Sequence, residues 1–443
     1  MIKKITLFLL LFFISFITVN AEQRDGFIKD TAYYINDITS KYLKDNNYNT
    51  KTNIFVKDNL KLTSKEEFDS IYIVYYLKSS KGTIDIDGTK KELGTNGFLH
   101  EYIKLDKKVN EVSIQYEEQA TIKEIFLFSG DIPSWVQNWQ KPHEKADIIL
   151  LSTHSDDEHL FFAGLIPTMI ANNKKIQVVY LAQHNDNPSR LDEQLNGLWQ
   201  VGLRNYPNLG VIPDAYSESL NGAIKNLEAA NMSLETVTNY LKDIIKTYKP
   251  DVIVGHDEKG EYGHGQHILY THALEKVIEQ MDEKDLPYKV YLHLYSDNPI
   301  KMNYDIPLDY YDGKTAYEIS KLGYKEHLSQ QYTWFTKWLT GINSKGEGTL
   351  FSKATDIKKY SPLDYGLYYS KVGYENEDNN MFYNVPVVKE NKNVSKKEVS
   401  IKKKDKDTKH VKHNYKLYII LGIVELVLTI LLIICIKLKK HRK

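Results

Sequence analysis

Two short apolar runs of this chain each end in a cluster of histidines and carboxylates, and this pairing restricts the fold more than any other feature of the sequence. The first run, Ala146-Asp147-Ile148-Ile149-Leu150-Leu151-Ser152, leads into Thr153-His154-Ser155-Asp156-Asp157-Glu158. The second, Val252-Ile253-Val254, leads into Gly255-His256-Asp257-Glu258-Lys259-Gly260-Glu261-Tyr262-Gly263-His264-Gly265-Gln266-His267. A brief apolar run bounded by polar residues reads as a buried strand, and open α/β sheets place their chemistry where such strands end. Residues 176–181 and 289–295 read as further strands. Helices are expected from Arg190-Leu191-Asp192-Glu193 onward, near 268–281, and before His327-Leu328-Ser329-Gln330. Strands alternating with helices predict an α/β, Rossmann-like, mostly parallel sheet. No G-x-G-x-x-G follows the first strand, so no nucleotide cofactor is implied.

Neutral imidazole and carboxylate are ordinary ligands of zinc. Thiolate sites are excluded, because the single cysteine, Cys435, lies in an apolar C-terminal run. A catalytic zinc centre needs about three protein ligands and an open position, so each cluster reads as half of one site. Glycines 260, 263 and 265 leave the second loop free to take positive φ, and His264 and His267 share a face of a helix that starts near His264. Taken singly, each cluster has a plainer reading. Asp156, Asp157 and Glu158 also suit the first turn of a helix, where acids offset the macrodipole, and an isolated H-x-x-H pair also occurs as solvated histidines.

Together the motifs His154-Ser155-Asp156-Asp157-Glu158 and Gly263-His264-Gly265-Gln266-His267 resemble those of the PIG-L/LmbE-type zinc-dependent N-acetylglucosaminyl deacetylases, over residues 147–331. Ser155 stands where that family usually has proline. The resemblance implies a Zn2+ cofactor held by His154, Asp157 and His267, with Asp156 as general base and His264, if protonated, as acid and oxyanion donor. It further implies that Tyr262 polarises the acyl oxygen and that Arg190 reaches substrate hydroxyls or a phosphate. An ordinary solvated helix-surface charge is the other reading of Arg190. These roles fit amide hydrolysis, which requires an activated water, a stabilised oxyanion and a protonated leaving amine. His256 and Asp257 are expected to support the ligands from behind, whereas Glu158, His159 and His293 read as structural.

Residues 22–141 have a different texture, with short alternating runs at 71–77, 82–86, 102–105, 112–116 and 125–128 and a hairpin signal at Asp87-Gly88. An all-β sandwich is expected, weakly similar to galactose-binding-like modules, with carbohydrate binding or a packing spacer as its two readings. The tryptophans of Pro133–Pro142 would form the junction to a deacetylase-like domain at 142–340, followed by a C-terminal extension at 341–387.

The ends of the chain speak of a membrane. Residues 1–21 carry a basic start, an apolar stretch and small residues before Glu22, which is the pattern of a signal peptide. Residues 417–436 are apolar save Glu425, to which no role is assigned, and are long enough to span as a transmembrane helix. A lysine-rich stalk at 388–416 and a cationic cytoplasmic tail at 437–443 flank that span, giving a single-pass type I cell-membrane topology with the catalytic part extracellular. Lys- and Asn-rich usage fits a low-GC bacterium with a single membrane.

With 58 basic and 58 acidic side chains the 443-residue chain is formally neutral. Its lysines concentrate in stalk and tail without an aromatic platform, so nucleic acid is not an expected partner. The expected substrate is an amino-sugar glycan or glycolipid. A glycan-binding protein with a non-catalytic enzyme-like domain and a zinc amidase for non-sugar N-acyl substrates are the competing classes.

Overall fold

The computed structural model describes residues 24–331 and 351–386. The expected signal peptide, stalk, transmembrane span and tail lie outside these residues. Among the described residues no helix is long and apolar enough to cross a membrane.

The N-terminal part is all-β, with strands β1 Thr31–Ile35, β2 Ile38–Thr39, β3 Thr52–Ile54, β4 Leu60–Tyr75, β5 Gly82–Ile86, β6 Thr89–Leu93, β7 His100–Tyr116 and β8 Ala120–Phe128. They run in the order β2-β1-β4-β7-β5-β6, while β8 pairs with both β3 and β4. β4 exchanges one neighbour along its length: residues 60–64 pair with β1 and residues 70–75 with β8. Between these stretches its register on β7 breaks at Thr63, Phe68 and Ser70. Such irregularities bend a strand. The expected sandwich is therefore one hydrogen-bonded sheet bent around a core of Phe68, Ile71, Ile73, Tyr75, Ile84, Ile103, Ile114 and Leu127. The stretches read as separate strands at 102–105 and 112–116 are both parts of β7. Asp106, Lys107 and Lys108 between them are exposed, so their polarity marks a solvent-facing stretch while the ladder continues. Asp87 and Gly88, at φ 51° and 85°, close the two-residue hairpin between Ile86 and Thr89, as a turn with two positive φ values demands.

The second part holds a six-stranded sheet. Its strands are β9 Ile148–Ser152, β10 Ile176–Tyr180, β13 Val252–Gly255, β14 Lys289–His293, β15 Pro299–Lys301 and β16 Asp364–Ser370, in the order β10-β9-β13-β14-β16-β15. Beside it lies a small parallel pair, β11 Ala182–Gln183 and β12 Ile212–Pro213. β10, β9, β13 and β14 are mutually parallel, and β16 and β15 extend the sheet antiparallel. The aromatic segment around Tyr365–Tyr369 is thus an added strand between β14 and the edge strand β15. Alternate strand residues face opposite layers, as the pleat requires. Ile148, Leu150, Val252 and Val254 meet Leu165, Leu191 and Leu195 on one side, whereas Ile149, Leu151 and Ile253 meet Val237, Leu241 and Leu274 on the other. Helices cover both faces, which explains why these strands are apolar throughout. The chain leaves β9 for β10 on one side, and β13 lies on the other. The ends of β9 and β13 therefore border the switch point at which open α/β sheets bind ligands.

The described residues fall in one compact unit. Trp135 packs on Phe126 and Tyr72 within the β part, while Trp139 meets Trp199 and Tyr206 across the junction at 5.2 and 5.6 Å.

Candidate metal centre

The loop after β9 and the helix Gly265–Gln280 after β13 bring three donor atoms into one triangle. His154 Nδ1, Asp157 Oδ2 and His267 Nε2 lie 3.1 to 3.2 Å from one another. Ligands about 2.0–2.1 Å from a tetrahedral ion sit roughly 3.3 Å apart, so this spacing fits a zinc-like cation.

The proton positions follow from the surrounding hydrogen bonds. Gln266 Nε2 donates to Pro213 O and its Oε1 accepts from the Ala215 N–H, so Oε1 is also the acceptor facing His154 Nε2 at 3.0 Å. His154 therefore carries its proton on Nε2 and turns the Nδ1 lone pair into the triangle. His267 Nδ1 donates to Glu261 Oε2 at 2.6 Å, which leaves Nε2 for the cation. Carboxylates behind ligating histidines orient the ring in this way. Glu261 also accepts from His256 Nδ1, His293 Nδ1 and the Asp257 N–H at 2.9 to 3.1 Å. Burial pushes its carboxyl up, yet His256 and His267 hold it well below the usual range. In the absence of a cation, burial lowers His267 but Asp157 and Glu261 outweigh it and raise the group to about 10. A proton and a cation thus compete for the same lone pair.

Asp156 precedes the short helix Asp157–Leu160 at φ 128° and ψ −25°, a conformation that side-chain-bearing residues rarely take. Its N–H donates to Glu158 Oε2 at 2.9 Å, and its carbonyl accepts from the His159 and Leu160 N–H groups. Burial raises its carboxyl to about 7, against the lowering influence of Arg190. Arg190 lies in the helix Pro188–Gln200. Its Nη1 donates to Asp214 Oδ2 and its Nη2 to Ser155 O, both at 2.9 Å, and Nη2 is 3.6 Å from Asp156 Oδ1. The guanidinium is thereby woven into the wall of the site. Ser155 ties that wall together: its N–H donates to His184 Nε2, a bond that proline could not make, and its Oγ donates to Arg190 O. Glu193, one turn on from Arg190, accepts from the Ser329 N–H and Oγ and so anchors the His327–Gln330 segment.

His264 is the N-cap of the Gly265–Gln280 helix, with Nδ1 accepting from the Gln266 N–H. Burial, with His154 and His267 nearby, lowers it to about 2, so the ring is neutral and carries its proton on Nε2. The Tyr262 ring stacks on Phe161 and lies 5.6 and 5.8 Å from those of His264 and His267, and burial pushes its hydroxyl upward.

Glu261, Gln266, Asp214 and His184 went unmarked in the motif reading. Glu261 and Gln266 stand inside the second motif at positions defined by the three-dimensional turn. Asp214 and His184 come from loops beside β12 and β11, where no periodic signal exists. Asp214 accepts from His184 Nδ1 at 3.3 Å and lies 3.6 Å from His154 Nε2.

Residues 149–278, which contain the whole donor triangle, match the PIG-L family model, described as GlcNAc-PI de-N-acetylase. This segment is a PIG-L domain. A 1D-myo-inositol 2-acetamido-2-deoxy-alpha-D-glucopyranoside deacetylase from Acidothermus cellulolyticus is 36% identical over 58 residues, 13% of this chain and 19% of that protein. The chain thus spans about a fifth of that relative's length. A deacetylase of teicoplanin biosynthesis superposes with 15% identity and a TM-score of 0.31, covering 42% of this chain and 84% of the other. A pectin-binding carbohydrate-binding module gives 16% identity and a TM-score of 0.18 over 21% of this chain and 81% of the module.

Proposed function

We propose that this chain is a zinc-dependent hydrolase that removes the N-acetyl group from N-acetylglucosamine or a related amino sugar in a surface glycan or glycolipid. The observation that carries the reading is the triangle of His154 Nδ1, Asp157 Oδ2 and His267 Nε2, with the Asp156 carboxyl in the adjoining residue. The PIG-L match over the same residues supports it.

A bound divalent cation would supply an acidified water and polarise the acyl oxygen. Every other step falls to the chain's own groups. Asp156, raised to about 7, is near the value at which a general base both holds and releases a proton at neutral pH. It takes the proton of the attacking water. The neutral His264 ring donates its N–H toward the developing oxyanion, and the Tyr262 hydroxyl, kept protonated by burial, is a second donor. Asp156 then returns its proton to the departing amine. Arg190 holds Asp156 and Asp214 in place from the side, and remains the residue proposed to meet a substrate hydroxyl or phosphate.

The signal-like residues 1–21 and the apolar stretch 417–436 support secretion and anchoring, with the site on the outer face of a membrane. The purified full chain is expected to release acetate from an N-acetylglucosaminide and to lose that activity to a chelator. Asp156→Asn should lower kcat by about 100- to 10,000-fold while zinc content stays the same. Equal turnover by the two proteins would remove Asp156 from the mechanism. Faster acetate release from non-sugar N-acyl compounds would replace the sugar by another amide.

A further inference from the structure

We propose a second divalent-cation site, formed by Glu158 Oε1, His159 Nε2 and His327 Nε2. Glu158 Oε1 lies 3.2 Å from His327 Nε2 and 3.6 Å from His159 Nε2, and the three atoms all fall within 4.8 Å of one another. These separations again resemble the roughly 3.3 Å edge of a tetrahedral zinc shell, and two imidazoles with one carboxylate are a zinc-type donor set.

The side chains are essentially sealed from solvent. Glu158 Oε1, His327 Nε2 and both nitrogens of His159 nevertheless have no hydrogen-bond partner. The close Glu158–His327 approach, at 3.2 Å, is an ion-pair contact between two of the three groups. Buried polar groups without partners are costly and rare. The buried Tyr180 hydroxyl also lies beside Glu158. A single cation would engage Glu158 Oε1, His159 Nε2 and His327 Nε2 at once. An ion pair between Glu158 and His327 alone would leave His159 wholly unmet.

The neighbouring helices are shaped to admit the rings. Gly197 and Gly323 lie inside the helices Pro188–Gln200 and Ala316–Tyr324, where glycine is conformationally unfavourable. A Cβ on Gly197 would stand 2.8 Å from His327 Nε2 and 3.0 Å from His159 Nε2, and one on Gly323 would stand 2.5 Å from His159 Cε1. Bare backbone is what allows both imidazoles to turn toward Glu158. The site also has a connection to the first. Glu158 uses its other oxygen, Oε2, to hold the N–H of Asp156 in its unusual conformation. A cation on Oε1 fixes that carboxylate and, through it, the backbone of Asp156, so the second ion is structural.

Metal analysis of the full chain dialysed against zinc and then buffer decides the question. Two zinc equivalents are expected per wild-type chain, one in His159→Asn and one in His327→Gln, and one in the double variant His154→Ala/His267→Ala, which loses the first centre instead. Thermal unfolding of the His154→Ala/His267→Ala protein should still fall on addition of a strong chelator. One equivalent in the wild-type protein that disappears in His154→Ala/His267→Ala overturns the second site. Two equivalents persisting in folded His159→Asn and His327→Gln overturns the ligand assignment. Two equivalents in the wild-type protein support the second site even if a variant fails to fold, and zinc retained by His154→Ala/His267→Ala does so whether or not the first centre is catalytic.

Discussion

A single carboxylate decides how firmly the first metal triangle is built. Glu261 accepts hydrogen bonds from three histidines brought by β13, the Gly265–Gln280 helix and β14, and it fixes which nitrogen of His267 faces the cation. Glu261→Gln cannot accept all of these bonds and removes a buried charge from among them. Zinc affinity, measured by competition with a chromophoric chelator, is expected to fall by about 10- to 100-fold; an unchanged affinity would show that His267 needs no such support. Asp156 sets the pH profile. It must be ionised to accept a proton, and burial raises it to about 7, so kcat/KM should rise about tenfold per pH unit below that value and level off above it. Arg190 lowers Asp156, so Arg190→Gln should move this limb to higher pH. A limb that does not move would mean that the titrating group is not Asp156. His154, Asp156, Asp157, His264 and His267 were legible as residues because each stands at a strand end within a compact motif. Glu261 and His293 were not, because their meaning depends on a meeting of strands distant in the sequence. His293 alternates like any strand residue, yet it bonds Glu261 Oε1 and the Ser361 carbonyl.

At the scale of elements, apolar strands were the easiest to read because both faces of the parallel sheet are covered. β9, β10, β13 and β14 were visible as apolar runs for that reason. β1, β3 and β6 are short or polar and left no comparable signal, and the exposed middle of β7 disguised one strand as two. Helix interiors carry a subtler message. Gly197 would ordinarily weaken the Pro188–Gln200 helix, and alanine there would be expected to strengthen it by propensity alone. The surroundings reverse that sign. An added Cβ meets His327 Nε2, the Gly323 carbonyl and His159 Nε2 at 2.8 to 3.0 Å, all of them buried. Gly197→Ala should therefore destabilise the protein by about 1–3 kcal/mol, since overpacking a filled core has that cost. A thermal melt shows it as a lower Tm; a higher Tm would mean that the rings withdraw freely and that their positions are not fixed.

The β part and the α/β part meet through charges, and this is the feature of the whole molecule that the sequence concealed. Asp192, on the helix that also carries Arg190 and Glu193, accepts from His100 Nε2 of β7 at 2.9 Å and from Lys123 Nζ of β8. Lys123 also donates to Pro188 O, at the start of the same helix. All three side chains are buried. Gln137 donates to Asn196 on the next turns, the Leu99 N–H donates to the Tyr206 hydroxyl, and Phe98 stacks on Tyr206 at 4.3 Å. This network agrees with the reading of the β part as a spacer that packs on its neighbour. It braces the helix whose Arg190 and Glu193 line and lock the metal centre. Nothing local in the sequence marks this, because one lysine in an apolar strand and one aspartate in a helix acquire meaning only when paired across 69 residues. Lys123→Met keeps the length and apolar stem of the side chain but leaves Asp192 buried with less compensation. Breaking a buried pair in this way costs about 3–5 kcal/mol, and it should depress the Tm of the full chain and reduce activity together. Lys123→Met/Asp192→Leu removes both charges and should recover a substantial part of the stability, since a buried pair replaced by apolar residues is often neutral. Recovery of the Tm without recovery of kcat would separate the two roles of the network, showing that it orients the Arg190 helix beyond holding the two parts together. A Lys123→Met protein with unchanged Tm and unchanged kcat would reduce the junction to passive contact.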